Sequence, residues 1–501
     1  MKKHALALLL LLLLILPLAL LALKNPSPDI LATTFDLTAS QISGFEQQGR
    51  SFRLKNFQGT FVSEPFNPGW EFIAVGVTWD EGLPADASPQ LDVRVSQDGE
   101  NWSEWVPMSI SDEHGREDVP VTASELLFIK GTQVQLRALL LNPTGQALSW
   151  EGLKFTLIDS RPGPSAEELS ETRALADGSD QPPQVISRAE WGANESYRFD
   201  GNGREVWPPQ YYPMRAFFIH HTVTTPSEPD PAAMVRAIYY YHTVTNGWGD
   251  LGYHYLVDQY GNIYQGRYGT PPDGYVVKGA QALGYNWHTM GVAMIGDFTN
   301  VPPGERQLNA LKKFLSSKAD QYKIDPMAPI WLYGEGSANP DRWADYSLLG
   351  HRNTHNPRRT SCPGDQLYAL LPEIRSYIAD CQNCGPSVEL TSPNENDVLE
   401  GNLTWQVNAS NDVVRVEYFL DNTMIAASNS PPWSVVVDSR TLPLGTFTMR
   451  AVAITARGKT SYHEQTVHVP RLLSSSAQPS ARHASVGVRQ QRTAQTSSSR
   501  K

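Results

Sequence analysis

Phe217-Phe218-Ile219-His220-His221-Thr222 is an apolar run that ends in a pair of histidines. Such a run predicts a buried β-strand. A histidine at the end of a buried strand lies at the rim of a sheet, where a metal ion or a substrate can reach its imidazole. We therefore take this strand as the centre of a candidate site.

Candidate partners for a metal ion lie further along the chain. One histidine cannot hold a metal, and the sequence contains Gly350-His351-Arg352 and Ser361-Cys362-Pro363 downstream. Two neutral imidazoles and one thiolate fill three corners of a zinc tetrahedron and leave the fourth to water, as in catalytic rather than structural sites. The sequence therefore predicts a Zn²⁺ site made of His220, His351 and Cys362.

Composition limits the class of protein. The chain has 501 residues, which suggests about three domains. Its net charge of -11 argues against nucleic acid as a partner, because phosphate binding needs a basic face. Its 3 cysteines are too few for a disulfide framework. For the Cys-x-x-Cys pair Cys381 and Cys384, a local disulfide is favoured over a metal site.

The N-terminal segment predicts export. Residues 1–24 combine Lys2 and Lys3 with a Leu/Ala-rich run, as in a signal peptide. The apolar run over residues 5–23 is nearly long enough to span a bilayer, so a membrane tether is the alternative. Either way we expect the protein to be secreted, held in the cell wall, or anchored on the outer side of the cytoplasmic membrane.

Two all-β regions flank the centre of the chain. Residues 33–160 alternate apolar and polar residues in short runs, which predicts a β-sandwich. Residues 161–184 are rich in Pro, Ser and Glu and predict a solvated linker. Residues 386–470 predict a small immunoglobulin-like sandwich. Residues 471–501 form a basic tail that we expect to be disordered.

Residues 185–385 mix strand and helix patterns. Asp230-Pro231 is a helix start, and Gln307 to Tyr322 and Gln366 to Ile378 have helical spacing of apolar residues. The predicted fold is therefore multidomain, with a central α/β domain (a mixed sheet flanked by helices) between the N-terminal β-sandwich and the C-terminal immunoglobulin-like β-sandwich.

The central domain also contains a series of short motifs. They include Ser187-Arg188-Ala189-Glu190-Trp191-Gly192, Ile219-His220-His221-Thr222, Gly247-Trp248-Gly249-Asp250-Leu251-Gly252-Tyr253, Gly261-Asn262-Ile263-Tyr264-Gln265-Gly266-Arg267, Gly284-Tyr285-Asn286, Gly350-His351-Arg352 and Cys362-Pro363-Gly364. In this order the motifs resemble the zinc-dependent N-acetylmuramoyl-L-alanine amidases of the peptidoglycan recognition protein type, the amidase-2 superfamily. The resemblance covers nearly all of residues 185–380.

The resemblance implies a role for individual residues. His220, His351 and Cys362 match the zinc ligands, in agreement with the chemistry above. Tyr253 matches the catalytic tyrosine, whose phenol would hydrogen-bond the oxyanion formed during attack on an amide. Thr360 falls where the family has Lys or Thr, and it would orient the attacking water or assist proton transfer.

Three further residues are predicted substrate contacts. Asn286 and Trp287 lie in a loop near the predicted site and are candidates to contact the glycan or the stem peptide. His221 is a third candidate, with support of the metal ligands or ordinary hydrogen bonding in the core as the alternatives.

Two positions depart from the family pattern. The spacing between His351 and Cys362 is a few residues longer than usual, which makes His355 a rival ligand. Gln281 stands where many members have histidine after Gly-Ala, a change that we expect to tune the cleft.

The predicted function is zinc-dependent hydrolysis of the amide between N-acetylmuramic acid and L-alanine in peptidoglycan. Two alternatives are a recognition protein that binds muropeptide without cutting it and a scaffold with a structural zinc. Cys362 and Tyr253 favour the hydrolase, since members of the family without the ligand cysteine bind without cutting.

Overall fold

The computed structural model describes residues 29–80, 82–84, 86–111, 119, 121–174, 184–224, 230–336, 339–355, 360–382, 386–410, 413–455 and 459–470. The predicted signal or tether, the predicted basic tail and Cys384, with its predicted disulfide, lie outside these ranges. Within them, no helix is both long and apolar enough to cross a bilayer.

The N-terminal region is built from antiparallel strands. In the described residues, two five-stranded sheets, in the orders β1-β13-β6-β10 (with β9 beside β6) and β2-β5-β11-β7-β8, share one apolar core. A smaller sheet has the order β12-β4-β3. The strands are β1 (Leu31–Asp36), β2 (Ala39–Ser43), β3 (Phe45–Gln48), β4 (Ser51–Leu54), β5 (Gln58–Ser63), β6 (Phe72–Asp80), β7 (Ser88–Ser96), β8 (Val106–Met108), β9 (Val121–Ala123), β10 (Leu127–Gly131), β11 (Gln133–Leu141), β12 (Leu148–Trp150) and β13 (Lys154–Asp159).

The predicted linker differs from the structure in its first half. Ala166–Ala174 forms helix α1. Ala166 and Leu169 are buried in a core cluster that also contains residues of the central domain. The Ser170 hydroxyl lies 3.0 Å from the side-chain nitrogen of Asn262. Two apolar residues and these polar contacts hold the segment on the protein, although its composition is that of a solvated chain.

The central domain contains a six-stranded mixed sheet with the order β14-β18-β17-β20-β16-β23 and two two-stranded sheets, β15-β19 and β21-β22. Its strands are β14 (Val185–Ile186), β15 (Tyr211–Pro213), β16 (Ala216–His221), β17 (Tyr255–Val257), β18 (Ile263–Gln265), β19 (Tyr275–Val277), β20 (Thr289–Met294), β21 (Ile330–Leu332), β22 (Arg342–Ala344) and β23 (Leu348–Gly350). Its helices are α2 (Pro231–Tyr240), α3 (Glu305–Tyr322), α4 (Asp365–Ala369) and α5 (Leu371–Gln382).

Helices cover both faces of the six-stranded sheet. On one face, Phe217 and Ile219 of β16 share a core cluster with Leu311 of α3 and Ile374 of α5. On the other face, α2 packs against β17 and β20. The prediction of a mixed sheet flanked by helices is confirmed.

Helix α2 begins as the sequence predicts. The Asp230 carboxylate accepts hydrogen bonds from the backbone N–H groups of Ala232 and Ala233, and Pro231 occupies the first turn. The helix continues into one π-helical turn, Tyr241–Thr245.

The N-terminal region packs on the outer side of α2. Ile73, Ala74 and Phe128 share a core cluster with residues of α2, so that α2 is buried on both sides. The Tyr241 hydroxyl lies within hydrogen-bond distance of the carbonyl oxygens of Val77, at 3.2 Å, and Ser124, at 3.1 Å. The N-terminal strands and the central domain therefore form one compact unit, which extends to Ser387 and includes Ala409–Arg415 and Ala453–Ser461.

The C-terminal strands supply a second compact unit. In the described residues they form two sheets, with the orders β24-β26-β29 and β25-β31-β30-β27-β28. Trp405 and Tyr418 are buried there, with ring centroids 6.4 Å apart. The strands are β24 (Val388–Ser392), β25 (Asp397–Val398), β26 (Asn402–Ala409), β27 (Val413–Leu420), β28 (Thr423–Ser428), β29 (Ser434–Asp438), β30 (Gly445–Thr455) and β31 (Thr460–Val469).

The close approach of Tyr241 to β6 requires a glycine. A Cβ atom at position 76 would overlap the Tyr241 ring. We predict that Gly76→Ala lowers the free energy of unfolding by ~1–3 kcal/mol through overpacking, as measured by chemical denaturation.

Gly201→Ala is the control for this prediction, because no atom lies within 4 Å of a Cβ atom there. In the Tyr241→Ala background we expect Gly76→Ala to lower the free energy of unfolding by much less, because the clashing ring is gone. If Gly76→Ala lowers the free energy of unfolding equally with and without the Tyr241 ring, the ring does not explain the need for glycine.

Candidate metal centre

Parallel strand pairing brings the two predicted histidine ligands together. Ile219 of β16 is paired with Gly350 of β23, and each is followed directly by a histidine. Parallel strands end at the same edge of a sheet, so His220 and His351 emerge side by side. Their ring centroids are 4.7 Å apart, and both side chains are buried.

Cys362 completes the cluster. Its Sγ lies 3.6 Å from Nδ1 of His220, and the ligand atoms of His220, His351 and Cys362 all lie within 4.8 Å of one another. A tetrahedral zinc with Zn–S of about 2.3 Å and Zn–N of about 2.1 Å separates sulfur and nitrogen by about 3.6 Å. The donor set and its spacing therefore fit a zinc ion.

The segment that carries Cys362 is tied to the end of β23. The backbone N–H of Arg352 donates to the Cys362 carbonyl at 2.9 Å, and the Arg352 guanidinium binds the carbonyl of Ser361 and, at 2.7 Å, Asp365. A Cβ atom at Gly350 would lie 2.8 Å from Pro363, so only glycine allows this close approach. These contacts explain how the longer spacing still delivers the thiol to the histidines.

Gln281 fixes the tautomer of the His220 imidazole. The Nε2–H of His220 donates to the Gln281 side-chain oxygen at 2.6 Å, which leaves the lone pair of Nδ1 facing Cys362. The Gln281 amide nitrogen donates to the Thr289 hydroxyl at 3.0 Å, and this hydroxyl donates to the carbonyl of Tyr285. Gln281 is fully buried and contacts the site through His220, so the expectation that it tunes the cleft stays a prediction.

His355 is not part of the cluster of ligand atoms found among the described residues. Its Nδ1 lies 2.9 Å from the Thr354 hydroxyl, and its ring contacts Tyr285. The geometry favours His351 over this rival.

Tyr253 and Thr360 lie beside the cluster. The ring of Tyr253 is buried, with its centroid 5.3 Å from that of His220. The Thr360 hydroxyl accepts a hydrogen bond from the backbone N–H of Cys362 at 2.9 Å. Thr360 thus shapes the turn that presents the thiol.

His221 lies on the opposite face of the sheet from His220. Successive side chains of a strand point to opposite faces, and the His221 ring packs near Phe298 in the region covered by helices. Its Nδ1 accepts a hydrogen bond from the Phe298 N–H at 3.2 Å. Burial lowers its pKa to about 4, despite the nearby Asp297 carboxylate. This placement favours the alternative of a core residue over the predicted substrate contact.

The other two predicted substrate contacts differ from each other. Asn286 is buried, and its side-chain oxygen accepts hydrogen bonds from the backbone N–H groups of Gln281 and Ala282. It braces the loop that carries Gln281 and is not placed to contact a substrate. Trp287 is half-buried and stacks on Tyr212 with centroids 5.3 Å apart, so its predicted role stays a prediction.

His242 is a neighbour of the site to which sequence reasoning gave no role. Its ring centroid lies 5.6 Å from that of Tyr253, and its Nδ1 accepts a hydrogen bond from the Gly252 N–H. Burial lowers the pKa of His242 to about 3, so its imidazole is neutral at physiological pH. The sequence offered a signal, because His242 follows the apolar Ile238 of α2 by four residues, about one helical turn.

Removing the acceptor behind His220 should weaken metal binding. We predict that Gln281→Leu lowers zinc affinity by ~10–100-fold, because Nε2–H loses its acceptor and the ring is no longer held in the ligating state. Competition with a chromogenic chelator measures the affinity.

Gln281→Glu is the matched control, since a carboxylate keeps the acceptor, and we expect its zinc affinity to stay within a few-fold of the natural chain. Equal affinities for the Leu and Glu variants, with both folded by circular dichroism, would show that Gln281 does not act on the metal site.

Two family models match regions of this chain. The family model for N-acetylmuramoyl-L-alanine amidase matches residues 210–365, and a bacterial Ig domain model matches residues 386–451. The second match confirms the predicted immunoglobulin-like domain.

Several known proteins are similar to the central domain. N-acetylmuramoyl-L-alanine amidase of Homo sapiens is 35% identical over 194 residues, 38% of this chain and 28% of the human protein. Peptidoglycan-recognition protein LB of Drosophila melanogaster is 30% identical over 197 residues, 39% of this chain and 68% of the fly protein. The solved structure of wild-type Drosophila PGRP-LB is 28% identical and covers 38% of this chain and 92% of that chain, with a TM-score of 0.28.

The similarity to these relatives covers less than half of this chain. The chain spans 28% of the human amidase and 27% of its Sus scrofa counterpart. The match to the fly protein extends over most of the relative's length. The chain belongs to the amidase-2 family, which includes N-acetylmuramoyl-L-alanine amidases and peptidoglycan-recognition proteins.

Proposed function

We propose that this protein is a zinc-dependent N-acetylmuramoyl-L-alanine amidase that hydrolyses the amide between N-acetylmuramic acid and L-alanine in peptidoglycan. The observation that carries the proposal is the convergence of His220, His351 and Cys362 beside Tyr253. Three protein ligands leave one coordination position for water or substrate, which is the pattern of catalytic zinc sites.

A metal ion at this site would act on both the substrate carbonyl and water. A zinc ion held by these three residues would polarise the scissile carbonyl and lower the pKa of water to about 7. The reaction adds water to the carbonyl carbon and breaks the carbon–nitrogen bond, and the released amine of alanine takes up a proton.

The protein's own residues orient and stabilise the reacting groups. The Tyr253 phenol would donate a hydrogen bond to the oxyanion that develops on the scissile carbonyl. Thr360 and Gln281 act one step further away, by holding Cys362 and His220 in their ligating positions. The buried setting of these groups strengthens their electrostatic interactions with the developing charge.

The other domains fit a role outside the cytoplasmic membrane. We interpret the two five-stranded N-terminal sheets with their common core as a β-sandwich. Together with the immunoglobulin-like domain it would position the enzyme on the wall, and residues 5–23 would direct export or tether the chain. Peptidoglycan is the proposed partner, and the acidic chain is not expected to bind nucleic acid.

A direct assay separates hydrolysis from recognition without cutting. Purified peptidoglycan is incubated with the zinc-loaded protein, and new N-termini are sequenced. We expect N-terminal alanine to appear, and both a chelator and Cys362→Ser to abolish it. Tight binding of peptidoglycan without new amines would refute the amidase and support recognition instead.

A second test isolates Tyr253. We predict that Tyr253→Phe lowers kcat by ~100-fold, because an oxyanion donor is lost while the shape of the ring is retained. Zinc content, measured by plasma emission spectroscopy, should be unchanged. Tyr264→Phe is the control: this buried tyrosine donates to Asp258 at 2.8 Å and lies outside the cluster, so kcat should change little. A Tyr253→Phe enzyme with full kcat would remove Tyr253 from the proposal.

A further inference from the structure

A small pocket adjoins the candidate metal centre and is lined by two different regions of the compact unit. Tyr253 and His242 line it from the central domain, and Glu125 and Leu126 line it from the N-terminal strands. Ser124, Tyr241 and Asn246 also line it. The N-terminal region therefore reaches the surroundings of Tyr253.

The N-terminal wall of the pocket is held in place. The Ser124 hydroxyl accepts a hydrogen bond from the Val77 N–H and donates to the carbonyl of Glu125. The backbone N–H of Glu125 donates to Ser109 at 2.8 Å. Tyr241 binds the same segment through the carbonyl of Ser124. A wall fixed by this many contacts is preorganised, which reduces the entropic cost of binding a ligand.

The pocket contains a buried polar atom without a partner. Asn246 is 3% exposed, and its side-chain oxygen has no hydrogen-bond partner among the described residues. Leaving a buried acceptor unpaired is unfavourable, because the group loses its hydrogen bonds to water. The residue follows the π-helical turn Tyr241–Thr245, a local geometry that is frequent at functional sites. An unpaired acceptor in a pocket beside a reactive centre points to a ligand that supplies the donor.

The size and chemistry of the pocket define that ligand. The cavity volume is about 10 Å³, which is of the order needed for a single water-sized group. The Glu125 carboxylate and the Asn246 oxygen are both acceptors of hydrogen bonds. The matching group is therefore one small donor, a hydroxyl or an amide N–H.

We infer that this pocket binds one hydrogen-bond donor of the peptidoglycan substrate, and that the N-terminal domain is thereby part of the substrate site. The inference rests on the proposed function for the identity of the substrate. The donor is either a hydroxyl of the glycan or an N–H of the stem peptide, and both place the substrate chain against Leu126 and Glu125. The N-terminal domain then contributes to specificity in addition to any role in anchoring.

The test uses the full chain with the substitutions Asn246→Leu and Glu125→Gln. Asn246→Leu should raise KM for N-acetylmuramoyl tetrapeptide by about tenfold, because an acceptor is lost, and Glu125→Gln should raise it by about two- to threefold, because a charge-assisted hydrogen bond becomes a neutral one. Both should leave kcat and zinc content nearly unchanged, because binding is lost away from the metal. Asn246→Leu should not lower the melting temperature, since it removes an unpaired buried acceptor. Asn246→Asp keeps an acceptor oxygen and should restore most of the affinity. Unchanged KM in both the Asn246→Leu and Glu125→Gln variants would overturn the inference.

Glu46→Gln is the matched control for Glu125→Gln. Glu46 is an exposed residue of β3 paired with Lys55 at 3.0 Å, and it does not line the pocket, so its substitution should leave KM unchanged. An equal rise in KM for both substitutions would assign the effect to net charge and overturn the inference.

Two further measurements complete the test. The first distinguishes a donor on the glycan from a donor on the peptide, and the second tests the pocket independently of the proposed amidase activity. Lactoyl tetrapeptide lacks the sugar ring. If Asn246→Leu weakens the affinity for this probe as well, the donor belongs to the peptide. If Asn246→Leu weakens only the affinity for the muramoyl probe, the donor belongs to the glycan. Equilibrium binding by calorimetry in the Cys362→Ser background tests the pocket even if the natural chain shows no amidase activity. Equal dissociation constants with and without Asn246→Leu in that background would overturn the inference.

Discussion

The parallel pairing of β16 with β23 is the constraint on which the candidate centre depends. The pairing of Ile219 with Gly350 makes the next residue on each strand a histidine at the same edge of the sheet. A shift of one residue on either strand would turn one imidazole to the opposite face, because side chains alternate along a strand. Phe217 and Ile219 pack in one core cluster and Phe218 packs in another, so such a shift would disrupt the packing of both. The packing that fixes the register of the sheet therefore also fixes the positions of the two histidines.

The contacts around this edge have complementary roles. Arg352 fastens the Cys362 segment to the strand that carries His351, and Gln281 holds His220 in the tautomer that leaves Nδ1 available. The three candidate ligands lie on separate parts of the chain and come together only in the folded state, so a metal ion bound there would stabilise the fold. On the far side of α2, the N-terminal strands fix the position of the helix and of the turn that follows it. This arrangement links the N-terminal domain to the surroundings of Tyr253.

Much of the architecture could be predicted from local patterns. The run Phe217 to Thr222 is buried on both faces and lies in the interior of the sheet, where an uninterrupted apolar strand belongs. The helix start at Asp230 follows from its capping side chain and Pro231. Within the amidase-2 pattern, the ligand residues were recognisable from the order of short motifs that surround them.

The remaining details depend on packing that no local pattern records. His221 and Asn286 were expected at the substrate, but alternation along β16 turns His221 toward the helices, and the Asn286 amide is used by two backbone N–H groups. The α1 segment has the composition of a linker and is held by two buried residues. The sequence of β6 gives a weak indication that the N-terminal domain contacts α2. From Phe72 to Val77 its residues are apolar or glycine, without the polar residues that alternate along a half-exposed strand. Strands that read as continuously apolar are covered on both faces, and the cover here is α2.

X-ray absorption at the zinc K-edge of the full-length, zinc-loaded protein tests the central claim most directly. We predict one sulfur at about 2.3 Å, two imidazole nitrogens at about 2.0–2.1 Å and one further light ligand from water, with the sulfur contribution lost in Cys362→Ser. A shell without sulfur, or one filled by four protein ligands, would contradict a catalytic centre built from His220, His351 and Cys362.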